Sequence, residues 1–251
     1  MPAARRCGFD LRHPDRAALM PWWIELVPLA LAAVLAITLH EAAHGYAARA
    51  LGDDTAARLG RISLNPLRHV DPVGTLVVPL AMAVVQLLAA GQVMGVFGWA
   101  KPVPVNLLRL ANPRRDMMLV AAAGPAANAL LAVAAGLAGH AVLLLEGGMP
   151  PELAGLAFRF LGMMILVNLV LGLFNLIPIP PLDGGRILVG LLPPRAAMLF
   201  AELERFGLAV VIGVVFLLPL AVPGFDPFGV FLREVVAPAI RLVLFVTGHG
   251  A

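Results

Sequence analysis

Two histidines and a glutamate stand at a metal-binding spacing in the stretch His40-Glu41-Ala42-Ala43-His44. On an α-helix, side chains four positions apart lie one turn above each other, so both imidazoles can direct a ring nitrogen at one ion. Zinc acidifies a bound water to near neutral pH, and Glu41 could take that proton and pass it to a leaving amine. The pattern therefore predicts a hydrolytic metal centre of the metallopeptidase type.

The composition places this centre in a membrane protein. Of the 251 residues 61% are hydrophobic and only 13% are charged, and the mean hydropathy is +0.92. The formal charge of +3 is small, and the basic residues are scattered without aromatic partners, so nucleic-acid binding has no support. The single cysteine, Cys7, excludes an internal disulfide and a thiolate zinc cluster, which leaves histidines and carboxylates as metal ligands.

We predict an all-α polytopic membrane protein with about six apolar segments and five or six transmembrane helices. The predicted segments have the approximate bounds Trp22–Leu51, Val73–Trp99, Arg114–Leu145, Leu153–Ile177, Phe206–Val222 and Phe228–Val246. Residues 1–20 are charged and lack an apolar core, so we interpret them as a polar tail and not as a signal peptide.

The loops predict how the spans are arranged. Basic residues stand on both sides of Val73–Trp99, so the positive-inside tendency makes this segment a candidate re-entrant hairpin. It also puts the metal pair nearer the cytoplasmic side of the membrane, which we take to be a plasma membrane of prokaryotic type. The alternation of Pro and Val in Lys101–Asn106 favours a short, extended, β-like edge strand near the active site.

A catalytic zinc usually takes three protein ligands and keeps one position for water, so the histidines need a third donor. Asp183 is the strongest candidate, because it follows the helix-breaking prolines of Pro178–Pro181. Irregular backbone at membrane depth is tolerated only where protein or a water-filled cavity surrounds it. Glu202 and Glu204 are interpreted as exposed helix charges.

Three separated motifs resemble the signature of the site-2 proteases, the intramembrane zinc metallopeptidases. They are His40-Glu41-Ala42-Ala43-His44, Gly124-Pro125-Ala126-Ala127-Asn128, and Asn175-Leu176-Ile177-Pro178 running into Leu182-Asp183-Gly184-Gly185-Arg186. The resemblance extends from about Trp22 to Arg195, and stretches within 60–106 resemble the compact branch that carries no PDZ or CBS domain. It divides the chain into the polar tail 1–20, a catalytic membrane core 21–195 and C-terminal transmembrane helices 196–251.

The resemblance implies roles for individual residues. His40, His44 and Asp183 would bind one zinc ion per chain, and Glu41 would polarise the water. Asn128 would face the site from a neighbouring span and hold the substrate or stabilise the oxyanion. The implied substrates are transmembrane proteins or peptides, and the lipid bilayer is the surrounding partner.

Two further polar residues keep alternative interpretations. Asn175 either hydrogen-bonds backbone where the last core helix unwinds, near the substrate, or is a helix-packing amide. His69, beside Asp71 in the loop after the metal pair, either assists catalysis or gating or orders its loop by a hydrogen bond, and the second is favoured.

Two alternatives to a protease come from other functional classes. A catalytically silent scaffold could keep the metal motif for folding, although a structural zinc has no need of a base such as Glu41. A metal transporter could use intramembrane His and Asp side chains as a passage, although such proteins usually show repeated polar sites and this sequence contains no repeat.

Overall fold

The computed structural model describes residues 23–91, 98–222 and 224–250. These residues form helices and connecting loops and no β-strand, which confirms the all-α prediction for this part of the chain. The predicted polar tail, residues 1–20, and residues 92–97 of the second predicted segment lie outside it. The α-helices are α1 Trp23–Ala50, α2 Thr55–Arg58, α3 Val78–Ala90, α4 Pro113–Leu145, α5 Pro151–Asn175, α6 Asp183–Leu191, α7 Pro194–Glu202, α8 Glu204–Ile212, α9 Leu218–Ala221, α10 Pro227–Phe231 and α11 Ala237–Val246.

Shorter turns of tighter or wider helix complete the secondary structure. The 3₁₀ turns are Pro66–Arg68, Leu107–Arg109 and Glu146–Gly148, and the π-helical turns are Pro72–Val77, Gly213–Leu217 and Leu232–Val236. Each π turn leads directly into the next α-helix. The two C-terminal predicted segments are therefore helical but wound unevenly.

Three of the described helical stretches are long and apolar enough to cross a membrane: Leu26–Ala50, Pro113–Gly148 and Pro151–Asn175. They correspond to the first, third and fourth predicted segments. Six apolar segments and a re-entrant hairpin remain predictions.

The long helices bury small side chains and expose large ones. α4 packs against α1, α5 and α6, and α1 also packs against α5. Ala32 of α1 and Ala132 of α4 are 0% exposed, whereas Leu130 and Leu144 of α4 are 71% and 85% exposed. Small residues let helix backbones approach closely in a membrane, where outward-facing leucines meet lipid tails. This distribution, with small side chains inside and large apolar side chains outside, agrees with an integral membrane protein.

Glycines set the position of α6 relative to the end of α5. The chain leaves α5 at Asn175 and begins α6 at Asp183. A Cβ atom on Gly184 would overlap the Leu176 and Ile177 carbonyl groups, and one on Gly185 would overlap the backbone at Pro180. Only residues without a side chain permit this close return of the chain, which brings Asp183 back toward α1 and α4.

Candidate metal centre

His40 and His44 lie on one face of α1, and hydrogen bonds define which ring nitrogen each presents. His44 Nδ1 lies 2.7 Å from the Val120 carbonyl oxygen of α4. A carbonyl oxygen only accepts, so Nδ1 carries the proton and Nε2 keeps its lone pair. Pro125 lies inside α4 and has no N–H. The carbonyl of Ala121, the residue after Val120, therefore lacks its usual helical hydrogen-bond donor.

His40 is held in the same way by a side-chain amide. Its Nδ1 lies 2.5 Å from Oδ1 of Asn128 on α4, and Asn128 is 0% exposed. The amide nitrogen of Asn128 faces Asn168 of α5, 2.8 Å away. His40 therefore donates through Nδ1 and keeps the Nε2 lone pair.

Asp183 completes a converging group of three acceptors. Its Oδ2 lies 3.1 Å from His40 Nε2 and 3.3 Å from His44 Nε2, and the two Nε2 atoms are 3.1 Å apart. Oδ2 is buried without a hydrogen-bond donor. Three lone pairs at this separation repel unless a cation lies between them.

The donor set fits zinc. Two imidazole nitrogens and one carboxylate oxygen are ligands that zinc prefers, and donors about 2.0–2.2 Å from a tetrahedral zinc lie roughly 3.3–3.6 Å from one another. The observed separations of 3.1–3.3 Å are close to these values. Within the described residues, these three form the single group of His, Cys, Asp or Glu side chains close enough to hold a metal ion.

Gly124 gives the two imidazoles their space. A Cβ atom at this position of α4 would lie 2.6 Å from His40 Nε2 and from His44 Cε1. Contacts below 3.0 Å between such atoms essentially never occur, so even a methyl group would displace the rings.

Glu41 lines the same cavity beside the histidines and is fixed by the segment 98–106. Its Oε2 accepts a hydrogen bond from the Val103 amide at 3.0 Å. None of the described residues donates to its other oxygen, Oε1. One oxygen is thus used for orientation and the other is available to a substrate or a water.

The segment 98–106 is itself tied down along its length. The amide of Lys101 donates to the His69 carbonyl at 2.8 Å, and the Arg61 guanidinium donates to the Lys101 carbonyl at 2.8 Å. At its far end, the Asn106 amide donates to Asp53 Oδ2 at 2.6 Å. The predicted edge strand is therefore an irregular segment, held by side chains and loop carbonyls, in the part of the chain that the structure describes.

The hydrogen bonds of Asp53 also set its charge state. Burial raises the pKa of the Asp53 carboxyl. Hydrogen bonds outweigh burial and lower this pKa below its usual value; the donors are the Thr55 hydroxyl and the backbone amides of Thr55 and Asn106. Asp53 lies just after α1 and is 0% exposed. It is therefore an ionised anchor between the end of α1 and the segment 98–106.

A cavity of about 320 Å³ opens on the three converging acceptors. Its walls include the apolar side chains of Ile37, Val103, Leu171 and Phe174. Such a cavity, mostly apolar with a few convergent polar groups, is typical of a substrate site.

The other predicted site residues occupy different places. Asn175 lines the cavity, and its amide donates to the Leu171 carbonyl one turn earlier in α5 at 3.0 Å. His69 does not line the cavity; its Nε2 lies 2.8 Å from the Ser63 carbonyl. This contact supports the loop-ordering interpretation of His69. Asn128 lies behind His40 and not on the cavity wall, which argues against contact with substrate.

Sequence reasoning did not single out Asn168, Gly124 or Asp53 as site residues. An amide inside an apolar span was the available signal for Asn168, because buried polar groups in a membrane need partners. The partner, however, lies 40 positions away on another helix, and spacing alone does not identify it.

Comparisons with known proteins give a family profile and two relatives with significant similarity. The profile of peptidase family M50 matches residues 151–220. A relative from Bacillus subtilis, named "Putative zinc metalloprotease YwhC", is 39% identical over 207 residues, which cover 82% of this chain and 87% of the relative. Rip2 of Mycolicibacterium smegmatis, which bears the same description, is 31% identical over 181 residues, covering 71% of this chain and 62% of Rip2. No solved structure gives a significant match.

Proposed function

Since this chain belongs to peptidase family M50, the site-2 protease family, and is a zinc metalloprotease, we propose that it hydrolyses peptide bonds within or beside the transmembrane segments of membrane proteins. The observation that carries this proposal is the convergence of His40 Nε2, His44 Nε2 and Asp183 Oδ2 at 3.1–3.3 Å. We assign these three atoms as the zinc ligands. A zinc ion held there would acidify a bound water and polarise the peptide carbonyl.

Glu41 is the proposed general base. With Oε2 held by the Val103 amide, Oε1 takes the proton from the attacking water and later returns it to the leaving amide nitrogen. The hydrogen bond to Oε2 reduces the freedom of the carboxylate before the substrate arrives, which lowers the entropy cost of the reaction.

The depth of the site supports substrates within the membrane. At 1.5 Å per helical residue, His40 lies about 15 Å and His44 about 9 Å from the end of α1 at Ala50. Both positions fall within the stretch Leu26–Ala50 that is long and apolar enough to span a bilayer. A peptide bond delivered there comes from a segment that itself enters the membrane.

Val103 and Val105 supply a docking edge for the unwound substrate. In an extended segment the backbone groups of alternate residues face the same edge, and both valines line the cavity, as does Pro102. The alternate positions, Pro102 and Pro104, have no N–H and cannot form a complete ladder. A substrate strand therefore pairs with the Val103 carbonyl and the Val105 amide, beside Glu41.

We propose the orientation in the membrane from the distribution of charge. Basic residues stand near the end of α1 closest to the site and in the elements that follow it, including Arg58 of α2, Arg61 and Arg115 in the first turn of α4. By the positive-inside tendency, we place the active site nearer the cytoplasmic side of a prokaryotic plasma membrane. A scaffold would not need Glu41 beside the centre, and a transporter would not need its donors to converge on one point.

The experiment that tests the proposal is the substitution Glu41→Gln in the purified enzyme, assayed on a reconstituted single-span substrate. Zinc content should stay at one ion per chain while cleavage falls to background, because the amide keeps the shape but cannot take a proton. Glu152→Gln, an exposed glutamate in the first turn of α5, is the matched control and should cleave normally. Turnover by Glu41→Gln would reject the assignment.

A second experiment tests the docking edge. Val105→Pro removes the amide N–H offered to the substrate, and Val105→Ala keeps it. Loss of one hydrogen bond of about 1.4 kcal/mol corresponds to roughly a tenfold fall in kcat/KM, so Val105→Pro should lose about that factor relative to Val105→Ala at equal zinc content. Equal kcat/KM for the two variants would remove this part of the proposal.

A further inference from the structure

We propose that Asn168 is a positioning residue of the metal centre, which acts through Asn128 to fix the ring nitrogen that His40 offers to zinc. The inference rests on the proposed function, because it takes His40 as a zinc ligand. It concerns a residue that touches neither the metal nor the substrate.

The contact chain runs across three helices. His40 of α1 meets Asn128 of α4 at 2.5 Å, and Asn128 Nδ2 donates to Oδ1 of Asn168 on α5 at 2.8 Å. Asn168 Nδ2 then donates to the Met164 carbonyl one turn earlier at 2.8 Å. Both asparagines are 0% exposed, so bulk water does not reach these groups.

The contact between Asn168 and the Met164 carbonyl determines the direction of the other hydrogen bonds in this chain. The Met164 carbonyl can only accept, so the amide nitrogen of Asn168 must face it and the amide oxygen must point the other way. That oxygen requires a donor, which orients the Asn128 amide with its nitrogen toward Asn168 and its oxygen toward His40. The ring then donates through Nδ1, and its Nε2 lone pair faces Asp183 and His44.

Without Asn168 the orientation of the Asn128 amide is held less firmly. The Asn128 nitrogen would keep only the Ala36 carbonyl at 3.4 Å, beyond the usual range of 2.7–3.2 Å. A reversed Asn128 amide would offer hydrogens to His40 Nδ1 and stabilise the tautomer that carries its proton on Nε2. That tautomer cannot bind a cation through Nε2.

His44 provides an internal contrast. Its Nδ1 donates directly to a backbone carbonyl, that of Val120, which cannot reverse. His40 depends on a side-chain amide that can rotate by 180°, and this is why His40 requires the additional support from Asn168.

Three variants of the full-length enzyme test the proposal. Asn168→Leu keeps the number and branching of the side-chain heavy atoms but removes the relay. Asn168→Asp keeps the relay, because a carboxyl group buried this fully favours its neutral form. The hydroxyl of that neutral carboxyl group can donate to the Met164 carbonyl, and its carbonyl oxygen can accept from the Asn128 amide. Leu169→Ala, at the neighbouring buried position of α5, destabilises the packing without touching the relay.

The readouts are the zinc dissociation constant, from competition with a chelator, and the unfolding temperature of the metal-free protein. Asn168→Leu should weaken zinc binding by about 10-fold to 100-fold. The zinc dissociation constants of Asn168→Asp and Leu169→Ala should stay within about threefold of that of the parent. Leu169→Ala should nevertheless have a lower unfolding temperature. Parent-like zinc affinity in Asn168→Leu would overturn the proposal, and so would equal weakening in all three. Retention of zinc by His40→Asn would instead reject the ligand assignment and hence the proposed function.

A measurement on the unsubstituted protein keeps the proposal testable if Asn168→Leu does not fold. Nitrogen-15 NMR of the metal-free enzyme distinguishes a protonated Nδ1 from a protonated Nε2, and the His40 signals are those lost in His40→Asn. A protonated Nδ1 is expected. A His40 ring protonated on Nε2 would overturn the proposal.

Discussion

Two pairs of histidines have their rings in contact among the described residues, and they differ in which nitrogen is occupied. His40 and His44 meet edge to face, at an interplanar angle of 89° and a centroid distance of 4.6 Å. His140 of α4 and His249, after α11, stack at 15° and 4.1 Å. In the first pair Nδ1 of each ring is hydrogen-bonded, and Nε2 keeps its lone pair, which faces Asp183.

In the second pair the hydrogen bonds use the opposite nitrogen. His140 Nε2 contacts the Thr247 carbonyl at 2.6 Å, and His249 Nε2 contacts the Gly136 carbonyl at 2.8 Å. Each Nε2 therefore carries its proton. The Nδ1 lone pairs lie in nearly parallel ring planes and do not converge.

The difference shows that proximity of two imidazoles does not make a metal site. A metal site also requires lone pairs that point at one place and an anionic donor that faces them. The stacked pair instead attaches the segment after α11 to α4 through two backbone carbonyls. We infer a structural role for it.

The comparison is tested most directly by the same substitution in each pair. His44→Asn keeps a donor near the Val120 carbonyl but removes Nε2, so zinc should be lost. Cleavage should then fall by roughly 10³-fold, since a metal supplies about 4 kcal/mol or more of transition-state stabilisation. His249→Asn should keep one zinc ion and normal cleavage. Metal analysis and a cleavage assay check both outcomes, and zinc loss in His249→Asn would contradict the comparison.

A glycine of α4 faces each pair and gives a smaller, sharper test. A Cβ atom on Gly124 would lie 2.6 Å from both imidazoles of the metal pair, and one on Gly139 would lie 3.0 Å from His249 Nε2. Both alanine variants gain the same helix propensity, about 1 kcal/mol, so it cancels in the comparison.

Gly124→Ala should shift the ligands by several tenths of an ångström or more and reduce cleavage by about 10²-fold, with weaker zinc binding. Gly139→Ala should change the free energy of unfolding by less than about 1 kcal/mol, since the His249 ring would need to move by only a few tenths of an ångström, and should leave cleavage unchanged. Kinetics and thermal unfolding of the two variants measure these effects. Equal loss of cleavage would mean that Gly124 has no special relation to the ligands.

The metal pair was predictable because its geometry is local. Four positions on a helix bring His40 and His44 to one face whatever else the chain does, and the prolines before Asp183 mark an irregular turn that carries a carboxylate. The tautomers were not predictable, since they depend on Val120 and Asn128, 76 and 88 positions away. Such contacts follow from the packing of α1 against α4.

The fold was predictable to a similar extent. Long apolar runs predicted α1, α4 and α5 to within a few residues. The π turns in the C-terminal segments were not predicted, because one extra residue per turn changes neither composition nor length noticeably. Extended geometry was predicted for Lys101–Asn106, but the sequence could not indicate that Asp53 and Arg61 hold this segment in place of a neighbouring strand.

The smallest expected effect concerns a carboxylate that needs no cation. Asp53 is buried like Asp183, but its two oxygens accept hydrogen bonds from Thr55 and Asn106. Asp53→Asn replaces one acceptor oxygen by a donor, which faces another donor, so the free energy of unfolding should fall by about 1–3 kcal/mol. Zinc affinity should change little, because the zinc ligands do not contact Asp53.

The pH dependence of this effect has a definite sign. The pKa of Asp53 is lowered in the folded protein, so its contribution is complete above the unfolded-state value of about 3.9 and is lost as pH falls through the folded value. Unfolding of metal-free parent and Asp53→Asn, followed from pH 7 to pH 3, should give a stability difference that is constant above about pH 5 and shrinks below pH 4. Metal-free protein is used because acid also releases zinc from the histidines. A difference that grows on acidification would mean that Asp53 is not held as an anion, and the contrast with Asp183 would then rest on geometry alone.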